Sequence, residues 1–313
     1  MALIGTEAMR RTRRQWIGNV ALVGVAAAAF PAALLAQGQP AVLAAPGGAA
    51  SVNLNPKRVI FDRPGKSATI SVASGGGSSG SFDVELIDRV MLPDGQIVPV
   101  TEAQDKPEAA RFKSAKAYLV ATPRRIRIAA GGGQAIRVRA TPSAELAPGE
   151  YRSHLTVTGI PPADTGLTAE QAAGRKEGEL SFRINSVLAI SIPVILRVGP
   201  VDVRAGIENA AIGFETISPD GKAPPVRTAM LNFDLVRMGV NSLYGDLEVR
   251  GSRKGEEPIG VVRGIGVYPE IDRRQVKIAL TRIPAAGEAI EIQFRDDDTS
   301  PGKILSKTSL SAP

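Results

Sequence analysis

Short strand patterns separated by turns follow one another along most of this chain, and no sustained helical period interrupts them. Apolar and β-branched residues alternate with polar ones in segments such as SATISVAS, RRIRIAA and YRSHLTVTGI. Glycine-rich or proline-containing turns separate these segments, and LPDGQ and AAGGGQ are predicted to be tight hairpin turns. This density of strands and turns predicts an all-β fold of the sandwich type.

The strand patterns form two series. The segment 179–197 is the longest strand candidate, and Gly199-Pro200 ends it. A second series follows, which includes LNFDLVRM, YGDLEVRG, QVKIAL and AIEIQF, with a loop at 218–226. We therefore predict two immunoglobulin-like β-sandwich domains in tandem, at 50–198 and 199–313.

The composition determines what can hold such domains together. Hydrophobic residues make up 43% of the chain and aromatic residues only 4%, so the cores must be aliphatic. The absence of cysteine excludes disulfides and thiolate metal sites, and the single histidine, His154, excludes a histidine cluster. Tyr151 follows Pro148-Gly149 at the head of a strand, the position of a tyrosine corner. No metal or cofactor is expected.

The N-terminus has the layout of an export signal. Arginines at 10, 11, 13 and 14 precede an apolar stretch, Ile17–Ala36, and small residues follow it. We predict a signal peptide at 1–44, cleaved after Ala44, with no membrane insertion afterwards; the alternative is a transmembrane anchor. The segment TRRQWIG also resembles a twin-arginine signal, so the export route stays open.

The charge and the motifs exclude several function classes. The formal net charge is +7, and no run of basic residues after the leader exceeds two, so nucleic-acid binding is not expected. The acids of RDDDTSPG (295–302) lack the spacing of a calcium loop and are predicted to form a solvated loop. His154 shares a strand face with Arg152 and Thr156 that is predicted to be exposed. Since no nucleophile accompanies it, we do not expect an enzyme.

A pair of cations in the first strand poses a separate problem. In LNPKRVIFD (54–62), alternation places Arg58 with Leu54 and Ile60, and Lys57 with Val59 on the other face. A cation that is buried with apolar neighbours needs an anion. The sequence thus predicts an acidic partner for Arg58 or Lys57.

Several segments together resemble the PapD-like periplasmic chaperones of pilus assembly. They are NPKRVIFD, DRVMLPDGQ, PRRIRIAAGGGQAIRVR, LAPGEYRSHLTVTGIPP, SVLAISIPVILRVG, NSLYGDLEVRG and GVYPEIDRRQVKIAL, in this order over roughly residues 50–295. The long interval from Ile160-Pro161 to Arg197 resembles the long-loop or archaic branch, with a loop at 161–178.

The resemblance implies a donor strand. Chaperones of this family bind an unfinished pilin subunit by lending it a strand, a form of β-augmentation. That strand falls at about 180–192, where one face presents Phe182, Ile184, Leu188 and Ile190. The same face has a simpler interpretation as core of the first domain, and the sequence leaves both open.

The resemblance also implies an anchor for the client, meaning the bound subunit. An arginine on the first strand of the family binds the C-terminal carboxylate of the client, and Arg58 stands in that place, with Lys57 as a second candidate. The alternatives for Arg58 are an internal acid such as Asp62, or exposure. The family's usual lysine is replaced by Pro193. Glu150 and Arg197 match a family ion pair between the domains, whose acidic partner in domain two cannot be located.

These implications predict a chaperone in the periplasm of a Gram-negative cell. It would stabilise pilin-like subunits and deliver them to an outer-membrane usher. The alternative is an exported immunoglobulin-like adhesion or structural module without chaperone activity. An exported hydrolase would need a nucleophile–base pair that the sequence does not offer.

Overall fold

The computed structural model describes residues 52–62, 65–75, 78–161, 187–218 and 221–313. They lie within one compact unit, Pro46–Pro313, and form two β-sandwiches in tandem. The predicted signal peptide at 1–44 lies outside the described residues. Among the described residues, no helix is long and apolar enough to span a membrane.

The first sandwich runs from Val52 to Val198. Its strands are β1 (Val52–Asn55), β2 (Val59–Phe61), β3 (Ser67–Ser74), β4 (Gly80–Ile87), β5 (Arg89–Met91), β6 (Ile97–Pro99), β7 (Leu119–Thr122), β8 (Arg125–Ile128), β9 (Gly133–Ala140), β10 (Gly149–Ile160) and β11 (Ala189–Val198). A short helix, α1 (Pro107–Arg111), and 3₁₀ turns at Val100–Glu102 and Lys116–Tyr118 lie between β6 and β7.

Two sheets enclose the first core. One has the order β1-β3-β9-β7 and the other β2-β11-β10-β4-β8, while β5 and β6 form a separate hairpin. This order corresponds to the A-B-E-D and G-F-C strands of an immunoglobulin sandwich. Side chains from both sheets form one largely aliphatic core, in which Phe61 and Phe82 are the largest fully buried residues.

The second sandwich repeats this plan with fewer strands. They are β12 (Ala205–Ile217), β13 (Val226–Arg237), β14 (Leu243–Arg250), β15 (Gly260–Val267), β16 (Arg273–Ala279), β17 (Ala289–Asp296) and β18 (Ile304–Ser311). The sheets β12-β13-β16 and β15-β14-β17-β18 pack around Leu231, Leu247, Ile292 and Phe294. The prediction of an all-β fold with two immunoglobulin-like sandwiches is confirmed.

The two sandwiches share apolar contacts. Met91 and Ile195, which lie on strands of the first sandwich, are buried in the core cluster of the second, and Ile60 packs against it. The predicted boundary at 198/199 falls between β11 and β12, just beyond this contact. Because apolar burial stabilises the junction, the sandwiches are joined by packing as well as by the connecting segment.

The first strand departs from its predicted alternation. β1 pairs with β3 in one sheet, whereas β2 runs parallel to β11 in the other. The chain changes sheets at 56–58, so the expectation of one continuous strand from Leu54 to Ile60 is wrong. Val59 and Phe61 enter the first core, and Arg58 stands at the crossing point.

Local turn signals were read correctly in two places and wrongly in one. LPDGQ closes the β5–β6 hairpin, where Gly95 adopts a φ of 86° and donates to Leu92 O. Tyr151 donates its hydroxyl to Ala147 O at 3.0 Å, as a tyrosine corner does. AAGGGQ is not a hairpin turn, because β8 and β9 belong to different sheets and the segment carries the chain between them.

Candidate functional site

The anion that Arg58 meets lies in the second sandwich. Arg58 Nη2 donates to Asp298 Oδ2 at 3.2 Å and to Ser242 Oγ at 2.9 Å, and Nη1 donates to the Tyr268 hydroxyl at 3.4 Å. The guanidinium also lies over the ring of Tyr244, at 4.7 Å from its centroid. Only 8% of the side chain is exposed. Of the alternatives for Arg58, an internal acid is therefore present, and it is Asp298 rather than Asp62.

Glu150 and Arg197 lie beside this contact. They face each other across β10 and β11, and Arg197 Nε donates to Glu150 Oε2 at 3.0 Å. Arg197 Nη2 donates to Asp298 Oδ2 at 2.7 Å, and the Ser242 N–H donates to Glu150 Oε2 at 3.1 Å. The acidic partner in domain two that could not be located from the sequence is thus Asp298. We call Arg58, Glu150, Arg197, Ser242 and Asp298 the junction cluster.

The charges of the junction cluster support one another. Burial disfavours ionisation of Glu150, but the charges of Arg197 and Arg58 and the donors on Ser242 and Arg197 outweigh it, so the pKa of Glu150 lies below its ordinary value. Burial likewise opposes the charge of Arg197, yet Glu150 and Asp298 raise its pKa above the ordinary value. Glu150 and Arg197 therefore both stay ionised at neutral pH.

The side chain of Asp296, the first of three adjacent acids, holds the backbone of the loop that carries Asp298. Asp296, at the end of β17, accepts backbone N–H groups from Asp298, Thr299 and Ser300 at 2.5–3.4 Å. Asp296 itself is buried. The expectation that 295–302 is a solvated loop is therefore wrong at Asp296 and Asp298, because one acid organises the loop and the other neutralises cations at the junction.

Lys57 lies apart from the junction cluster. It is exposed, and its Nζ donates to Asn53 Oδ1. The change of sheets at 56–58 separates the directions of the two adjacent cations. The structure therefore brings Arg58, and not Lys57, together with Glu150 and Arg197.

A second ion pair joins β10 to the other sandwich. Arg152 Nη2 donates to Glu270 Oε1 at 2.5 Å, and Arg152 Nη1 donates to Glu270 Oε2 at 3.1 Å. The guanidinium of Arg152 lies 3.6 Å from the ring centroid of Tyr268. Glu270 also accepts the Met91 N–H at 2.7 Å. Both partners of this pair are almost fully buried, so the β10 face that was predicted to be exposed is covered by the second sandwich.

His154 is buried on that same face. Its ring meets Tyr268 edge to face, at 6.5 Å between centroids, and neither ring nitrogen has a hydrogen-bond partner among the described residues. Burial, and then the positive charges of Arg152, Arg89 and Arg58, hold the pKa of His154 well below its ordinary value. The ring is therefore neutral at neutral pH.

A cavity of about 720 Å³ lies near these ion pairs. Glu150 and Arg152 form part of its lining, together with Arg111 and Arg237, which both bind Asp272. Its lining mixes both signs of charge and indicates no single class of ligand. In the part of the chain that the structure describes, no three His, Cys, Asp or Glu side chains are grouped to hold a metal ion.

The predicted donor strand is only partly within the described residues. Phe182 and Ile184 lie outside them, and β11 begins at Ala189. Ile190 packs partly against the first core, as its alternative interpretation anticipated, whereas Leu188 is 43% exposed. Leu188 is therefore the described member of the predicted set that is open to solvent.

The edge of β11 changes along its length. Val194, Ile195 and Leu196 pair with β2, but no described strand pairs with that edge from Ala189 to Pro193. The other edge pairs with β10 throughout, and Pro193 stands opposite His154. The N-terminal half of β11 thus presents an open strand edge among the described residues.

Sequence reasoning missed Asp298, Ser242, Tyr268 and Glu270. They lie 45–240 residues from the arginines that they contact, so no local pattern connects them. One signal was present in the sequence. The resemblance placed Arg197 in an ion pair between the domains that includes an acid of domain two, and the sequence has three adjacent acids at 296–298 in that domain.

Comparison with known proteins gives similarity to solved structures alone. No family model matches the chain, and no curated protein does. The periplasmic chaperone SfaE is 11% identical, with 83% of this chain and 98% of that chain covered and a TM-score of 0.40. The Escherichia coli chaperone DraB is 14% identical, with 84% and 97% covered and a TM-score of 0.40.

A complex is also among the similar structures. The Salmonella enterica SafA pilin in complex with the SafB chaperone is matched at 16% identity, with 85% of this chain and 98% of that chain covered and a TM-score of 0.40. Chaperones are thus among the solved structures that this chain resembles. Because these TM-scores are below 0.5, the functional argument rests on the chain's own residues.

Proposed function

We propose that this chain is a periplasmic chaperone that binds pilin-like subunits by donor-strand complementation and delivers them to an outer-membrane usher. The observation that carries the proposal is the open edge of β11 from Ala189 to Pro193, preceded by the exposed Leu188. Proteins normally protect such an edge against pairing with another chain. A strand-lending chaperone requires it, because an incoming subunit pairs with that edge.

We further propose that Arg58 anchors the C-terminal carboxylate of the client, and the junction cluster supports this. Arg58 is an arginine between two sandwiches whose present partner is already a carboxylate, that of Asp298. A guanidinium matches a carboxylate with two parallel hydrogen bonds, so this group can hold the C-terminus of a client. The anchor directly precedes β2, which runs parallel to β11, the strand that carries the open edge.

The experiment is co-purification of the exported protein with its client. We expect a small β-rich subunit in about equal amount. Leu188→Asp should remove it, because the substitution puts an unpaired charge into an apolar pocket of the client. Val261→Asp is the matched control: Val261 is also 43% exposed but lies on β15 of the second sandwich.

Three outcomes would contradict the proposal. Retention of the subunit by a folded Leu188→Asp variant would exclude strand lending at this edge. Equal loss with Val261→Asp would indicate a general surface effect. A protein that purifies alone and stable from cells that make surface fibres would favour the adhesion or structural module.

A further inference from the structure

Arg58 uses its hydrogen-bond donors unevenly. Nη2 serves both Ser242 and Asp298, and Nη1 makes one long bond to Tyr268. Nε is buried and has no acceptor among the described residues. A buried N–H without an acceptor is costly. A carboxylate can bind the Nε–Nη2 edge of a guanidinium with both of its oxygens. In Arg58 only Nη2 of this edge has an acceptor among the described residues.

Asp298 has a shorter contact elsewhere. Its Oδ2 lies 2.7 Å from Arg197 Nη2 but 3.2 Å from Arg58 Nη2. The backbone of its loop is held by Asp296, so the carboxylate stays near Arg197 whatever Arg58 does. Giving up the longer contact leaves Asp298 paired with Arg197 and leaves Arg197 paired with Glu150.

We propose that Asp298 is an internal placeholder for the terminal carboxylate of the client. That carboxylate binds across Nε and Nη2 of Arg58 and takes Nη2 from Asp298, which remains on Arg197. The inference rests on the proposed function and adds its regulation: without a client the Arg58 charge is neutralised, and every client competes with Asp298. Arg58 can thus stay buried in the free protein, because an anion is always present.

The test uses the full exported chain and a labelled peptide of about 15 alternating apolar and polar residues, which is long enough to span the open half of β11. One form of the peptide ends in a free carboxylate and the other in an amide. We expect wild type to prefer the free carboxylate. Asp298→Asn should tighten binding of that form roughly tenfold, because it removes the competing charge, and should leave the amide form unchanged.

Asp297→Asn is the matched control. It removes the same charge from the same loop, but Asp297 is exposed, and the carboxylate that Arg58 binds is that of Asp298. An equal gain with Asp297→Asn would reduce the effect to a change of net charge and overturn the inference. Unchanged or weaker binding of the free carboxylate by Asp298→Asn would overturn it as well.

A measurement on wild type keeps the test independent of the stability of the variants. The Arg58 Nε–H resonance in a ¹⁵N spectrum, assigned through Arg58→Lys, should shift with the free-carboxylate peptide and not with the amide. Absence of that shift contradicts side-on binding. If wild type binds both forms of the peptide equally, Arg58 is not a carboxylate anchor and that part of the proposed function is wrong. If Arg58→Lys removes the preference for the free carboxylate and Asp298→Asn leaves it unchanged, the anchor stands and only the inference about Asp298 is wrong.

Discussion

The two halves of β11 differ in how many of their edges pair with a described strand. From Val194 to Val198 the strand pairs with neighbours on both edges for most of its length, and it carries Arg197 into the junction cluster. From Ala189 to Pro193 only one edge pairs with a strand that the structure describes, and the exposed Leu188 precedes this half. One strand thus joins the two sandwiches at one end, and at the other end it carries the edge that we propose accepts a client. Substitutions in the two halves should therefore affect different properties.

Among changes to the junction cluster, removal of Arg197 should have the largest effect. Arg197→Ala leaves Glu150 and Asp298 buried without their shared cation, which typically costs about 3–5 kcal/mol in the free energy of unfolding. Urea unfolding monitored by circular dichroism measures it. Arg125→Ala is the control, since Arg125 forms an exposed pair with Asp83 and its loss should cost less than about 1 kcal/mol. Equal losses with Arg197→Ala and Arg125→Ala would mean that the buried ion pairs of the junction cluster stabilise the fold no more than an exposed pair does.

Removal of Arg58 should have a smaller effect, because Asp298 keeps its contact with Arg197. Arg58→Ala should lower the free energy of unfolding by about 2 kcal/mol, since Ser242 and Tyr268 each lose a donor. Lys57→Ala, at the adjacent exposed position, should stay within about 0.5 kcal/mol of wild type. A thermal melt of both variants checks the difference, and similar losses would contradict the separation of the two cations by the change of sheets.

His154 should add a pH dependence to the stability of the junction. Its folded-state pKa is depressed, so below its ordinary pKa of 6.5 the unfolded chain takes up a proton that the folded chain does not. The contribution of the neutral His154 ring to the free energy of unfolding is fully present above pH 6.5. It falls by about 1.4 kcal/mol for each pH unit below 6.5, down to the folded-state pKa. His154→Phe should remove this slope between pH 6.5 and 5. An unchanged slope would place the titration on other groups.

The open half of β11 should show the smallest effect on stability. Leu188→Asp should change the free energy of unfolding by less than about 0.5 kcal/mol, because Leu188 is already largely exposed. Ile192→Asp, on the same strand but fully buried, should unfold the first sandwich and serves as the contrast. A large loss with Leu188→Asp would show that this half of the strand is core and that the two halves of β11 do not differ.

Much of the fold followed from local patterns. Alternation located β3, β9, β10 and most strands of the second sandwich, because the period of two reports a half-buried strand wherever it lies. It missed β18, whose segment ILSKTSLS has few apolar residues and lies at the edge of its sheet. It also missed β7 and the second half of β12 for similar reasons of weak patterning. The sheet change at 56–58 was missed because strand partners are chosen by distant residues.

Part of the candidate site was also visible in the sequence. Arg58, Glu150 and Arg197 were selected through family resemblance, and the structure brings these three together around Asp298. Lys57 was selected for its type alone and lies elsewhere. His154 and Arg152 were assigned to an exposed face because polar residues on one face of a strand usually indicate solvent. Here that face is covered by the second sandwich, so its polar groups are paired or neutral instead.

The sequence by itself determined the strand content, the aliphatic cores, the tandem arrangement and the need for an anion near Arg58, because these follow from short-range periodicity and from the cost of burying charge. The tertiary structure decided which anion it is and which half of β11 has a second pairing strand among the described residues. Asp298 lies 240 residues from Arg58, and the pairing of β2 with only Val194 to Leu196 is set where the chain crosses between sheets. Burial and pairing of this kind depend on which surfaces meet in space, and that information is distributed over both sandwiches.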